Sequence, residues 1–240
     1  MSKPKAFLMG LVFGVIASGL FYSQAAEAYQ VKRVIRGEMS LGTIEINSLD
    51  LISGSLGNLL GSVPLDPNKC LLFVTASSSS DRRTVRDVFA VLDDEQTITF
   101  VRYAGTQATV AFTIVEFVSG VTVYSGLTTF GDATSSAGRI KNITLPSSLD
   151  LSRSLAFINW KAYSGTSSSN DENYQYSVSF TAANKIRIQR TDSASGYFSD
   201  VYYQVVEFDE GVSVQSGLFN MVYNAASYAT GAPYITGTVS

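Results

Sequence analysis

The chain has no histidine among its 240 residues and a single cysteine, Cys70. Without an imidazole, Ser-His-Asp and Cys-His catalysis and every His-based zinc or iron site are excluded. One cysteine cannot close an intrachain disulfide. Its neighbours in Lys69-Cys70-Leu71-Leu72-Phe73 are apolar, so it reads as a small buried hydrophobe rather than a reactive thiol. Stability must then come from packing. Charge is also scarce, at 15% of residues with a net charge of −3, against the usual quarter or so. There is no basic field to hold nucleic acid phosphates and no charge run long enough for an interaction tail. G-x-S-x-G, the P-loop, G-x-G-x-x-G and C-x-x-C are all missing, which removes the short motifs that announce common chemistries.

What the chain does contain is an internal repeat. Val206-Glu207-Phe208-Asp209-Glu210-Gly211-Val212-Ser213-Val214-Gln215-Ser216-Gly217 echoes Val115-Glu116-Phe117-Val118-Ser119-Gly120-Val121-Thr122-Val123-Tyr124-Ser125-Gly126, at an offset of 91 (207 − 116). Leu65-Asp66, Lys69 and Leu71-Leu72-Phe73 match Leu149-Asp150, Arg153 and Leu155-Ala156-Phe157 at 84 (149 − 65). Ile98, Phe100 and Arg102 match Ile186, Ile188 and Arg190 at 88 (186 − 98). A drift in offset between matches kept in order is what loop insertions between fixed strands produce. V-x-x-G recurs three times, ending at Gly37, Gly126 and Gly217, and reads as a strand that leaves one copy and opens the next. A period near 90 residues is the length of a small β domain rather than a solenoid unit.

The runs inside each copy are rich in β-branched and aromatic residues, with turn signals about every ten residues. Strands are expected within 29–46, at 71–77, 85–92, 97–103, 109–117 and 121–124, with Val110, Phe112 and Ile114 on one face. In the second copy they are expected at 140–145, 154–162, 174–180, 185–190, 201–208 and 212–215. Leu49 to Leu60, interrupted by Gly54 and Gly57, reads as a loop with at most one helical turn. Six or seven short antiparallel strands cannot bury a face as one flat sheet and must stack or close. The expected fold is therefore all-β: two tandem homologous antiparallel β-sandwich domains after an N-terminal hydrophobic helix. A small barrel is the second choice. The divisions are 1–28 as signal peptide or hydrophobic anchor, 29–126 and 127–218 as the repeats, and 219–240 as a C-terminal strand or tail.

The N-terminus carries Lys3 and Lys5, an uncharged apolar stretch from Ala6 to Tyr22, and Ala26-Glu27-Ala28 as a cleavage site before Tyr29, the pattern of an export signal. Its length also allows an uncleaved anchor. No catalytic, metal-ligating or cofactor-binding residue is nominated. The acidic groups at 93–95, 171–172 and 209–210 read as turn acids, and Glu116 and Glu207 as a structural ion pair or caps. Trp160 should pack between layers. The polar loops offer contact residues instead: Ser78, Ser79 and Asp81 in the first copy, and Tyr163, Ser167, Asn170 and Tyr174 in the second. In the tail, Tyr228, Tyr234 and Ile235 are candidates for pairing with a neighbouring subunit.

The pattern V-E-F-x-x-G-V-x-V-x-x-G, following an aromatic and β-branched strand and a Ser-rich loop, resembles repeats of phage and prophage tail or appendage proteins over Val31 to Leu218. That resemblance implies a virion or surface structural role and carries no catalytic residue with it. The functional expectation is a non-enzymatic exported protein that forms or decorates an extracellular appendage or cell surface. Alternatives are a virion tail or fibre protein and a carbohydrate-binding module. Expected partners are further copies or a larger protein assembly and a cell-surface or glycan ligand. Nucleic acid is not among them, and a membrane enters only through an uncleaved N-terminal segment.

Overall fold

The computed structural model describes residues 30–42, 46–78, 88–102, 107–131, 136–162, 175–190, 198–209 and 212–214. Those residues form β1 (Gln30–Leu41), β2 (Ile46–Asp50), β3 (Cys70–Ser78), β4 (Val88–Leu92), β5 (Thr97–Arg102) and β6 (Ala108–Ser119). They continue as β7 (Val121–Phe130), β8 (Ile140–Thr144), β9 (Ser154–Ala162), β10 (Tyr176–Ala182), β11 (Lys185–Arg190) and β12 (Ser199–Phe208). Four three-stranded sheets result, ordered β1-β6-β3, β2-β5-β4, β7-β12-β9 and β8-β11-β10. Every pairing is antiparallel. Numbered from its own first strand, each half of the chain builds the sheets 1-6-3 and 2-5-4. One sandwich plan is thus used twice.

Alternation along the strands decides what each core contains. Val110, Phe112 and Ile114 of β6 turn inward to Ile98 and Phe100 of β5, and Ala90 of β4 joins them. The second core sets Val201 and Val205 of β12 against Ile186 and Ile188 of β11. Trp160 packs against that second core and lies 5.5 Å from the Tyr176 ring, the interlayer position expected of it. Between β2 and β3 the chain plugs the first core with Leu51, Leu60 and Leu65. Asp50 Oδ1 caps this turn by accepting from the amides of Ile52 (2.7 Å) and Ser53 (3.0 Å).

The repeated glycines acquire a steric reason. Gly37 stands opposite Phe112 and Gly126 opposite Tyr203, equivalent pairs in the two units. A Cβ on Gly37 would lie 2.5 Å from the Phe112 ring, and one on Gly126 would lie 2.7 Å from Tyr203 Cζ. In each unit an aromatic ring lies across the glycine of its neighbouring strand, filling space that a side chain would otherwise take.

Two expectations change. β7 begins at Val121, passes through Gly126 and pairs with β12 along its length, so the second sandwich starts after Gly120 and not at residue 127. Gly120, with φ of 80°, allows β6 to end and β7 to begin one residue apart; the V-x-x-G matches ending at Gly37 and Gly126 therefore lie in the first strand of each unit. Val212–Val214, expected as part of a strand, is not in one; the Val214 amide donates to the Ser152 carbonyl at 2.7 Å. The signal or anchor segment, residues 1–28, and the tail, residues 219–240, lie outside the described residues.

Candidate functional site

At one end of each sandwich an aspartate opens a tight turn and a glutamate from the last strand holds it. Asp66 Oδ1 accepts from the Asn68 amide (3.0 Å), and Asp150 Oδ1 accepts from the Ser152 amide (3.0 Å). The Asp66 amide donates to Glu116 Oε1 at 3.0 Å and the Asp150 amide to Glu207 Oε1 at 2.6 Å. This geometry explains why Leu-Asp and Glu-Phe recur together although 50 residues separate Asp66 from Glu116. Leu65 and Leu149 sit just before these aspartates and are both buried.

The two copies then diverge. Glu116 is 1% exposed and also binds Lys32 Nζ (2.9 Å) and Arg33 Nε (2.6 Å). Arg33 continues to the carbonyls of Leu60 (2.9 Å) and Pro64 (2.8 Å), tying β1, β6 and the β2–β3 connection into one knot. Burial works to raise the Glu116 pKa. Hydrogen bonds from Lys32, the Asp66 amide and Arg33 outweigh it and hold the carboxyl below its ordinary range. In the second unit Thr122 faces Glu207 where Arg33 faces Glu116. Glu207 is therefore a cap and Glu116 an ion pair, the two roles the sequence offered. The cations were not legible as its partners, because 84 and 83 residues separate them from it.

The joint between the units is the second built feature. Leu71, Phe117, Val121, Val123 and Val206 form one buried cluster, with Phe73, Leu155, Phe157 and Phe208 packed against it. Phe73 and Phe157, equivalent residues of the two copies, meet edge to face at 5.8 Å. Beside them Gln204 of β12 is buried and closes the free edge of β3. Its Oε1 accepts from the Leu72 amide (3.1 Å) and its Nε2 donates to the Cys70 carbonyl (3.3 Å). Tyr202, two residues along, packs on Phe89 of β4 and Val101 of β5. Lys69 Nζ donates to the Val121 carbonyl and fastens the start of the second unit to the first. The outer face of β12 thus lies across the β3–β4 edge of the first sandwich. Each fully buried apolar side chain in such a joint is worth roughly 1.5–3 kcal/mol, and an interface of this kind fixes relative orientation.

At the other end, Leu41 and Ser78 both stand opposite Ala108, while Phe130 and Ala162 both stand opposite Ser199. The strand ends that bracket 43–45, 79–87 and 103–106 therefore meet at one end of the first sandwich. Those that bracket 132–135, 163–174 and 191–197 meet at one end of the second. Arg102 and Arg190, at matching strand ends there, are both buried. Arg102 Nη1 donates to the Gly42 carbonyl at 3.4 Å. Tyr176 hydrogen-bonds Ser199 and faces Arg190, and burial pushes its phenol pKa up. The repeat marked the two arginines, but nothing in the sequence marked them as buried.

Of the nominated contact residues, Ser78 closes β3 and donates from Oγ to the Gln107 carbonyl at 3.0 Å. Ser79, Asp81, Tyr163, Ser167, Asn170, Tyr174, Tyr228, Tyr234 and Ile235 lie outside the described residues. Among the described residues no group of three or more Cys, Asp or Glu side chains is placed to hold a metal ion. Cys70 is buried in the first core, opposite Glu116, and burial, reinforced by the Glu116 and Asp66 carboxylates, pushes its thiol pKa up to about 12. The turn acid Asp94 is satisfied locally, accepting from the amides of Gln96 and Thr97 at 2.7 Å each. Comparison with family models, curated proteins and solved structures finds no match for this chain.

Proposed function

We propose that this chain is a non-enzymatic exported structural protein that builds or decorates an extracellular appendage or cell surface. The observation that carries this reading is the joint. Two copies of one sandwich are locked by a buried apolar cluster and a buried glutamine that closes a sheet edge, so load on one unit passes to the other without a flexible linker. The polar side chains near the joint support it too: Glu116 and Arg33 of the first unit hold its strands together and Gln204 of the second holds the units together. The apolar stretch before Tyr29 supports export.

Mass spectrometry of the native N-terminus, combined with fractionation of the producing cells and imaging of surface structures, tests the proposal. Protein beginning near Tyr29 and recovered in surface assemblies is the expected result. A monomer that stays in the cytosol with Met1 intact overturns it. Protein with Met1 intact inside tail-bearing particles moves the assignment to the virion reading that the V-E-F-x-x-G repeat suggests.

A further inference from the structure

Sheet edges are pairing templates unless charge, proline, a bulge or another element blunts them. Most edges of this fold are blunted. β1 carries Lys32, Arg33, Arg36 and Glu38, β8 carries Lys141 and β9 carries Lys161. β2 is five residues long and ends on Asp50. The edges of β3 and β4 face the joint. β7 is uncharged, but Val121 and Val123 in its first half are buried there.

β10, with the sequence Tyr-Ser-Val-Ser-Phe-Thr-Ala, is different. It is the outer strand of its sheet and holds no charge and no proline; a register shift near Phe180 and Ala182 is its only irregularity. Tyr176, Val178 and Phe180 turn to the second core and are partly buried, while Ser177, Ser179 and Thr181 are exposed on the other face. In the first unit the corresponding strand, β4, has Val88, Ala90 and Leu92 buried, and its outer Phe89 is covered by Tyr202. The hydroxyl-bearing outer face of β10 suits water, so a covering sheet like the one on β4 does not fit it. Among the described residues, no strand pairs with the outer edge of β10.

We infer that β10 pairs antiparallel with β10 of a second copy of this chain, joining two three-stranded sheets into one of six strands. The strand is self-complementary, as an isologous contact requires. The register that pairs all seven residues sets Ser179 opposite itself, Val178 opposite Phe180, Ser177 opposite Thr181 and Tyr176 opposite Ala182. Val178 then meets Phe180 on the core face and every serine or threonine hydroxyl meets a hydroxyl on the other, the cross-strand pairs that stabilise a sheet, while Ala182, past the register shift, is exposed. No like charges oppose. The inference rests on the sheet edge alone and stands whether or not the protein is exported.

Cysteine placement tests it. Directly opposed residues bring their Cβ atoms to about 5 Å, close to disulfide reach, and the buried Cys70 thiol does not compete. Under mild oxidation the purified Ser179→Cys protein should form a covalent dimer. Ser177→Cys, opposite Thr181 in the partner, should not. Wild-type protein should dimerise with rising concentration in sedimentation velocity. Ser179→Lys, folded by circular dichroism, should need roughly tenfold more protein or more to do so. A wild type that is monomeric at every concentration, or equal cross-linking through 177 and 179, overturns the inference.

Discussion

Replacing Glu116 by Gln keeps the shape of the side chain and one acceptor for the Asp66 amide but removes the charge that Lys32 and Arg33 bind. Glu116 is almost wholly buried, yet the side chains of its partners are 38% and 19% exposed. Lys32 can turn into water when the carboxylate is lost, so it contributes little. Arg33 cannot, because the carbonyls of Leu60 and Pro64 hold it in place. Breaking a fully buried pair costs about 3–5 kcal/mol. With one partner free to resolvate, about 2–3 kcal/mol is expected, or a fall of roughly 5–10 °C in melting temperature for a chain of this size. Glu207→Gln is the internal control. It removes a charge that accepts from the Asp150 amide without a facing cation, and should cost about 1 kcal/mol. Urea unfolding at neutral pH measures both. The pH dependence adds a second reading. The Glu116 carboxyl lies below its ordinary value of 4.5 in the folded protein. Its stabilisation is therefore complete above that pH and is lost as pH falls through the lower folded value. The gap between wild type and Glu116→Gln should narrow in acid. Equal losses for the two variants, or a gap that widens in acid, would refute the reasoning.

Gly37→Ala should be worse than Gly126→Ala. The Phe112 ring over Gly37 is buried and packs 5.5 Å from Phe100, whereas Tyr203 over Gly126 is only half buried and can swing aside. Thermal unfolding should show a loss of about 1–3 kcal/mol for the first and less for the second; the reverse order would contradict the ring-over-glycine account. Cys70 should resist alkylation in the native protein at pH 8, since its thiol pKa is pushed up to about 12, and should label only after denaturation. Rapid labelling of folded protein, followed by mass spectrometry, would show that the first core does not cover it.

The fold was largely legible because the pleat writes itself into the sequence. Val110, Phe112 and Ile114 alternate with residues of the other face, and they enter the core as alternation predicts. β9 and β11 begin and end where the residue types change. The near-continuous apolar run of β3, which read as a core strand, is apolar on both faces for a reason the sequence did not show: Leu71 and Phe73 face the second unit. The V-x-x-G signal was visible, while the cause of its glycine, an aromatic ring on a strand 75 or more positions away (112 − 37, 203 − 126), was not. The same signal misplaced the division between the units. A first strand and a linking strand have the same composition, and only the pairing of β7 with β12 distinguishes them. Gln204 was hidden in the same way, since a glutamine inside an apolar strand does not announce which neighbouring backbone it will satisfy.

The central claim is that the second sandwich closes the open edge of the first. Amide hydrogen exchange measured by NMR at Leu72 tests it most directly. The Leu72 amide points away from its own sheet to Gln204; Ala156 holds the corresponding place on β9, opposite Val205 as Leu72 is opposite Ile114. Leu72 should exchange as slowly as amides inside the β6 ladder, and far more slowly than Ala156. In Gln204→Ala it should accelerate while the interior of β6 stays protected. A Leu72 amide that exchanges as freely as Ala156 in the wild type, or that is unaffected by loss of Gln204, would contradict the account.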